Sequence, residues 1–193
     1  MSAPIRDTTT QLVLDAALTL FTEKGYFATS VHDISRQAGV SIGSIYHHFG
    51  DKVGIARALY VQLGRRMEDV ILAVMRRHAT ARERARELIV RLFELTEREP
   101  RAMAFMLYAR HREFLPNEPP VCSSRPFVLM REIVQDGIAN GEIRAMDLKV
   151  AATCLFGGPI RMITARLDGL LDGPLAGYLD EVWTCAWRSV QAG

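Results

Sequence analysis

An all-α fold is predicted by three features of the sequence. Apolar residues return every three or four positions along most of the chain, Ser30 with Asp33 and Thr80 with Glu83 form capping-box pairs, and turn-forming Gly and Pro mostly fall between the apolar runs. The 193 residues, 49% of them hydrophobic, suffice for one domain or two small ones with a real core. A net charge of +2 excludes a polycation that holds nucleic acid by charge alone, so any affinity for nucleic acid would have to come from specific contacts. Cys122, Cys154 and Cys185 stand far apart without metal-ligand spacing and are expected to be reduced thiols of a cytoplasmic protein. No signal peptide or membrane span is expected, since the most apolar stretch, 148–167, is interrupted by Pro159 and Arg161.

Helix one begins at about Thr10, with Leu12, Val13, Ala16, Ala17, Leu20 and Phe21 on one face and Gly25 at its end; Tyr26 and Phe27 then close a small unit as core residues. Ser30 caps a helix over 31–38, and Gly39 supplies the left-handed residue that leaves it. Ser41 caps the next helix, 42–49, while Val40 and Ile45 form a hydrophobic staple that fixes the angle between the two. From Asp51 a stripe of Ala56, Leu59, Tyr60, Leu63, Met67, Val70, Ile71 and Val74 predicts a helix to about His78, long enough to join two domains. Thr80 opens an amphipathic helix, and Pro100 a largely apolar one reaching about Glu113. Prolines at 116, 119 and 120 make 115–124 a loop. Pro126 starts a helix that Asn140-Gly141 ends. Asp147 caps one that is apolar all round and holds Gly157-Gly158-Pro159, read equally as a kink or as a close helix contact. The last helix runs from about Leu175 through Trp183 and Trp187.

The pair 31–38 and 42–49 meets the requirement for reading a DNA groove: one helix crosses the backbone while a second, rigidly angled to it, is presented outward. Ile45 and Phe49 face the small core, which leaves Ile42, Gly43, Ser44, Tyr46, His47 and His48 to solvent or DNA. Tyr46 can donate to a phosphate oxygen, and Lys52 lies beside a positive helix end. The run from Thr29 to Lys52, TSVHDISRQAGVSIGSIYHHFGDK, resembles the helix-turn-helix of the TetR-type bacterial transcriptional regulators. The resemblance is dense over the first quarter of the chain and extends beyond it in length, helicity and layout. Ser35 for the usual Ala and Val53-Gly54 for the usual acidic pair depart from it. It implies operator contacts from His32, Ile42, Gly43, Ser44, Tyr46, His47 and Lys52, within a DNA-binding domain of 1–52. The helix 51–78 would connect this to an effector-binding and dimerisation domain, 53–193.

That second domain is rich in soft and aromatic side chains, which together could adapt to a small molecule but are, one by one, better explained as core. Met67, Met103, Met106, Phe127, Met130 and Phe156, with Arg110 as a polar group, are the candidate effector contacts. Surplus apolar surface on the last two helices suggests a homodimer interface, and the resemblance implies the same; Phe156, Ile160, Ile163, Leu179, Trp183 and Trp187 are its candidates. His32, His47 and His48 lack ligand spacing, so no metal or other cofactor is expected. Without a nucleophile elbow or phosphate loop the chain does not read as an enzyme, and Arg110, His111 and Glu113 are taken as a solvated helix end. The expected protein is a homodimeric repressor that a small, hydrophobic effector releases from a palindromic operator in double-stranded DNA. Its alternative is an effector-independent DNA-binding or structural dimer with a solid C-terminal core.

Overall fold

The computed structural model describes residues 8–116, 118 and 123–193. Cys122 and the prolines at 119 and 120 lie outside the described residues. The elements are α1 (Thr8–Glu23), α2 (Val31–Ala38), α3 (Ile42–Phe49), α4 (Lys52–Arg77), α5 (Ala81–Arg98), α6 (Pro100–Tyr108), α7 (His111–Phe114), α8 (Arg125–Ala139), α9 (Leu148–Leu167), a 3₁₀ turn (Leu175–Tyr178) and α10 (Leu179–Arg188). The fold is all-α; among the described residues the one β-type pairing is an isolated bridge between Ile143 and Gln191. Two compact units form, one from 1–63 with 104–120 and the other from 64–103 with 121–193.

In the first unit, local chemistry fixes each helix end. The Asp33 backbone N–H donates to the Ser30 hydroxyl, and the Asp33 carboxylate accepts from both the Ser30 N–H at 3.0 Å and the Ser30 hydroxyl at 2.6 Å. These bonds hold the Asp33 carboxyl below its ordinary pKa. Gly39 leaves α2 at φ 65°, and the Ser41 hydroxyl accepts from the Ser44 N–H to start α3. At the head of α4 the Asp51 carboxylate accepts from the Gly54 N–H at 2.6 Å. A Cβ at Gly54 would stand 1.8 Å from the Phe49 carbonyl oxygen. The glycine that breaks the family pattern therefore lets the end of α3 fold tightly against the first turn of α4. Val13, Ala17, Ile34, Ile45, Ile55 and Ala56 have no exposed surface and form the centre of this unit. Phe27 departs from expectation: it is 68% exposed rather than buried.

The helix expected over 100–113 is two helices. Arg110 takes φ −77° and ψ 68°, outside the helical region, and the break turns His111, Phe114 and Leu115 into the core together. His111 was read as part of a solvated end, yet it is 4% exposed. Its ring lies 4.7 Å from that of Tyr60, 4.9 Å from Phe105 and 5.7 Å from Phe114. Neither of its nitrogens makes a well-formed hydrogen bond, and the Tyr60 hydroxyl is likewise buried without one.

Burial holds the His111 imidazole below its ordinary pKa of 6.5, against the opposing pull of the Phe105 and Met106 carbonyls. The neutral ring is thus the folded form. Its contribution to stability is complete above pH 6.5, the unfolded value, and is lost as pH falls from there through the lower folded value. Urea unfolding of the wild type is expected to show a one-proton loss of stability across that window, about 1.4 kcal/mol for each pH unit separating the two values. His111→Phe should flatten the profile; an unchanged profile would show that another group titrates.

In the second unit α5, α8, α9 and α10 pack around Leu88, Ile89, Ile133, Val134 and Leu155, none of which is exposed. Gly137 of α8 is required there, because a Cβ would stand 2.8 Å from both Ala81 Cβ and Ile143 Cδ1. The Glu142 carboxylate caps α5 by accepting from the Ala81 N–H at 2.9 Å and the Arg82 N–H at 3.0 Å. The last helix starts at Leu179 rather than Leu175, preceded by the 3₁₀ turn. Glu97 anchors that turn: it accepts from the Leu175 N–H at 2.9 Å and from Arg166 Nε at 3.0 Å. A Cβ added at either glycine of α9 would meet no other element among the described residues: at Gly157 it would touch only Thr153 Cγ2 of the same helix, at 3.7 Å, and at Gly158 nothing within 4 Å.

Candidate functional site

Of the eight residues of α3, Ile45 alone is buried. Tyr46 is 50% exposed, and Gly43, His47 and His48 are exposed with it. Ile42 and Ser44 are half-buried, while His32 on α2 is exposed. The rings of His47 and His48 meet edge to face at 5.2 Å. This surface offers hydrogen-bond donors and acceptors and little apolar area. Such a helix, held through one isoleucine and two caps, suits insertion into a major groove.

Lys52 stands apart from the other expected DNA contacts. Its ammonium donates to the Thr29 carbonyl at 2.8 Å and the Tyr26 carbonyl at 3.0 Å, and lies 4.3 Å from the centroid of the Tyr26 ring. Burial lowers its pKa. The residue is thus a clasp between the head of α4 and the α1–α2 connection, with one N–H left over for a phosphate. Lys52→Met is expected to destabilise the chain by about 2 kcal/mol in urea unfolding, the size of one or two charged hydrogen bonds. On DNA the salt slope should change by no more than about 1; unchanged stability would show that the clasp is dispensable.

In the second unit a groove of about 470 Å³ runs between α8 and α9. Phe127, Met130 and Phe156, three of the expected effector contacts, line it together with Ile160. Lys149, Thr153 and Arg131 bring polar atoms to the same groove. Met67 and Met103, also of this unit, are not among its lining residues, and Met106 and Arg110 belong to the first unit. Sequence reasoning missed Lys149 and Arg131. Their signal was spacing: Arg131 is one turn from Phe127, and Lys149, Ala152, Thr153, Phe156, Gly157 and Ile160 form a single helical stripe.

None of the expected dimer residues is fully exposed on the single chain. Phe156, Ile163, Trp183 and Trp187 are buried within this chain, and Ile160 and Leu179 are half-buried, Ile160 in the groove between α8 and α9. The outward side of α9 and α10 carries other residues, Cys154, Gly158, Met162, Val182 and Cys185, around a hollow of about 650 Å³. Because α9 is apolar all round, the sequence did not say which stripe faces inward.

An outward-facing second helix of a helix-turn-helix, at the head of an all-α chain, defines the class as a DNA-binding protein. Residues 13–59 match the family model described as bacterial regulatory proteins, tetR family. The fatty acid metabolism regulator protein of Bacillus subtilis (strain 168) is 29% identical over 160 residues, 75% of this chain and 76% of its own. The solved structure of the Bacillus subtilis transcriptional regulator FadR in complex with stearoyl-CoA superposes with a TM-score of 0.77 at 23% identity, over 94% of this chain and 99% of that one. That of the ketosteroid transcriptional regulator KstR2 of Mycobacterium tuberculosis gives a TM-score of 0.77 at 18% identity, over 100% of both chains. Residues 13–59 thus carry the DNA-binding segment of the tetR family of bacterial regulatory proteins, the longer-matching relative is a regulator protein, and the whole chain shares the fold of solved transcriptional regulators. Among the described residues no helix is long and apolar enough to cross a membrane.

Proposed function

We propose that the chain is a cytoplasmic, homodimeric repressor that leaves a palindromic operator when a small apolar effector enters the groove between α8 and α9. The observation that carries this reading is the pairing of an outward α3 with an apolar groove that has basic residues at its side. Residues 1–52 read DNA, and 53–193 bind effector and partner, with α4 as the continuous connection. Two copies would hold their α3 helices about 34–36 Å apart to enter successive major grooves. An effector that favours another setting of α4 weakens DNA binding, and DNA weakens effector binding equally. A 100-fold release needs about 2.7 kcal/mol of differential binding.

The groove itself suggests the effector class. Phe127, Met130, Phe156 and Ile160 offer an apolar floor, and Lys149 and Arg131 suit an anionic head. A fatty acyl compound with an anionic carrier has this form, and the relative named for fatty acid metabolism supports it. The groove also favours an effector over the solid-core alternative.

Selection from a randomised duplex pool at physiological salt tests the DNA half. A palindromic site is the expected result, and the absence of any enriched site overturns the reading. With that site as probe, stearoyl-CoA should displace the wild type, whereas Phe156→Trp, which crowds the groove, should hold its operator through the same titration.

A further inference from the structure

The first unit contains a hollow of its own, away from the outward face of α3. It measures about 280 Å³, close to the lower end of the roughly 300–1,000 Å³ typical of small-molecule pockets. Six rings wall it: Phe21, Tyr26, Phe27, Phe105, Tyr108 and Phe114. Two of them leave much of their apolar surface in water, Phe27 at 68% and Tyr108 at 44% exposure. At the rim Arg110 and Glu113 pair at 3.1 Å, both exposed. That bond uses one N–H of Arg110, and a guanidinium carries five.

Walls made of rings favour a flat partner, which can stack offset on one and meet another edge-on. The size admits one or two fused rings. Charge near the hollow is balanced, Lys52 and Arg110 against Asp51 and Glu113, so the remaining donors of Arg110 rather than a net field select the polar group. We infer that this hollow is a second small-molecule site, which takes a planar aromatic molecule with one acceptor group, its rings against Phe27, Tyr108 and Phe114 and its acceptor on Arg110.

Occupancy has a route to the DNA-reading helix. The Tyr26 ring stacks on Phe114 at 4.1 Å and carries the Lys52 ammonium on its face. A ligand that shifts Tyr26 disturbs the clasp at the head of α4, directly after α3. This link to operator affinity rests on the DNA-reading role proposed above; binding in the hollow does not.

The probe is 2-naphthoate, titrated into the full-length chain by calorimetry and followed by isotope-filtered NOEs. One saturable site is expected, with NOEs to the Phe27 and Tyr108 rings. Ala104→Trp, which fills the hollow, should abolish it. Arg110→Gln should weaken it at least tenfold with an unaltered thermal midpoint, and keeps the test open should the tryptophan variant not fold. No saturable binding to the wild type, undiminished binding to Arg110→Gln, or NOEs to Phe127 and Phe156 instead would each overturn the assignment. With the hollow occupied, operator affinity should fall; an unchanged affinity would remove the link and leave the site.

Discussion

A chain carrying Trp183→Ala and Trp187→Ala is expected to lose its second unit rather than merely its partner. Each indole is 7% exposed, and the two rings stack at 5.4 Å with an interplanar angle of 22°. The Arg82 guanidinium lies 5.9 Å from the Trp187 ring, so α10 is held to the start of α5 through this pair. Truncating a buried tryptophan costs about 3–5 kcal/mol for lost transfer energy and the cavity left behind. Two such losses approach the whole stability of a domain, about 5–15 kcal/mol. Near-UV circular dichroism and urea unfolding should show an unfolded or loosely packed chain; a cooperative transition at the wild-type midpoint would place both rings outside the core.

Charging the opposite side of the same two helices should give the contrary result. Met162 and Val182 are half-buried and line the outward hollow beside Gly158, where an added Cβ would meet no side chain or other element within 4 Å among the described residues. In the proposed homodimer this side meets its copy, and Met162→Glu with Val182→Glu would bury unpaired carboxylates there. The expected product is a folded monomer on sedimentation equilibrium, with operator affinity reduced 100-fold or more because one half-site is no longer bound with the other. A dimer of unchanged affinity would move the interface elsewhere. Together the two double variants separate the stripe that builds the unit from the stripe that joins two copies.

How much of this was legible in the sequence depended on the reach of the signal. Capping pairs act within four residues, so Ser30 with Asp33 and Thr80 with Glu83 marked their helices correctly. The outward set on α3 was readable because that helix is short and amphipathic around Ile45. The groove between α8 and α9 was half readable: its apolar residues Phe127, Met130 and Phe156 stand out in the sequence, but nothing local said that Lys149 and Arg131 would join them. Trp183 and Trp187 are buried within their own unit, which their bulk alone could not reveal, since bulk does not distinguish a core from an interface. The clasp made by Lys52 was illegible for another reason. Its partners are backbone carbonyls 23 and 26 positions away, and a carbonyl has no residue type to recognise.

That same clasp bears on how the protein can be re-specified. Since Lys52 holds main-chain atoms, and Ile45 is the one fully buried residue of α3, the fold of the reading head depends little on the exposed residues of α3. A library varying Gly43, Ser44, Tyr46 and His47 would then sample new operator sequences on an intact scaffold. Under the proposed DNA-reading role, target sequence and molecular architecture would be written largely in separate residues, so a new regulatory circuit could be built from this chain by exchanging the first and keeping the second.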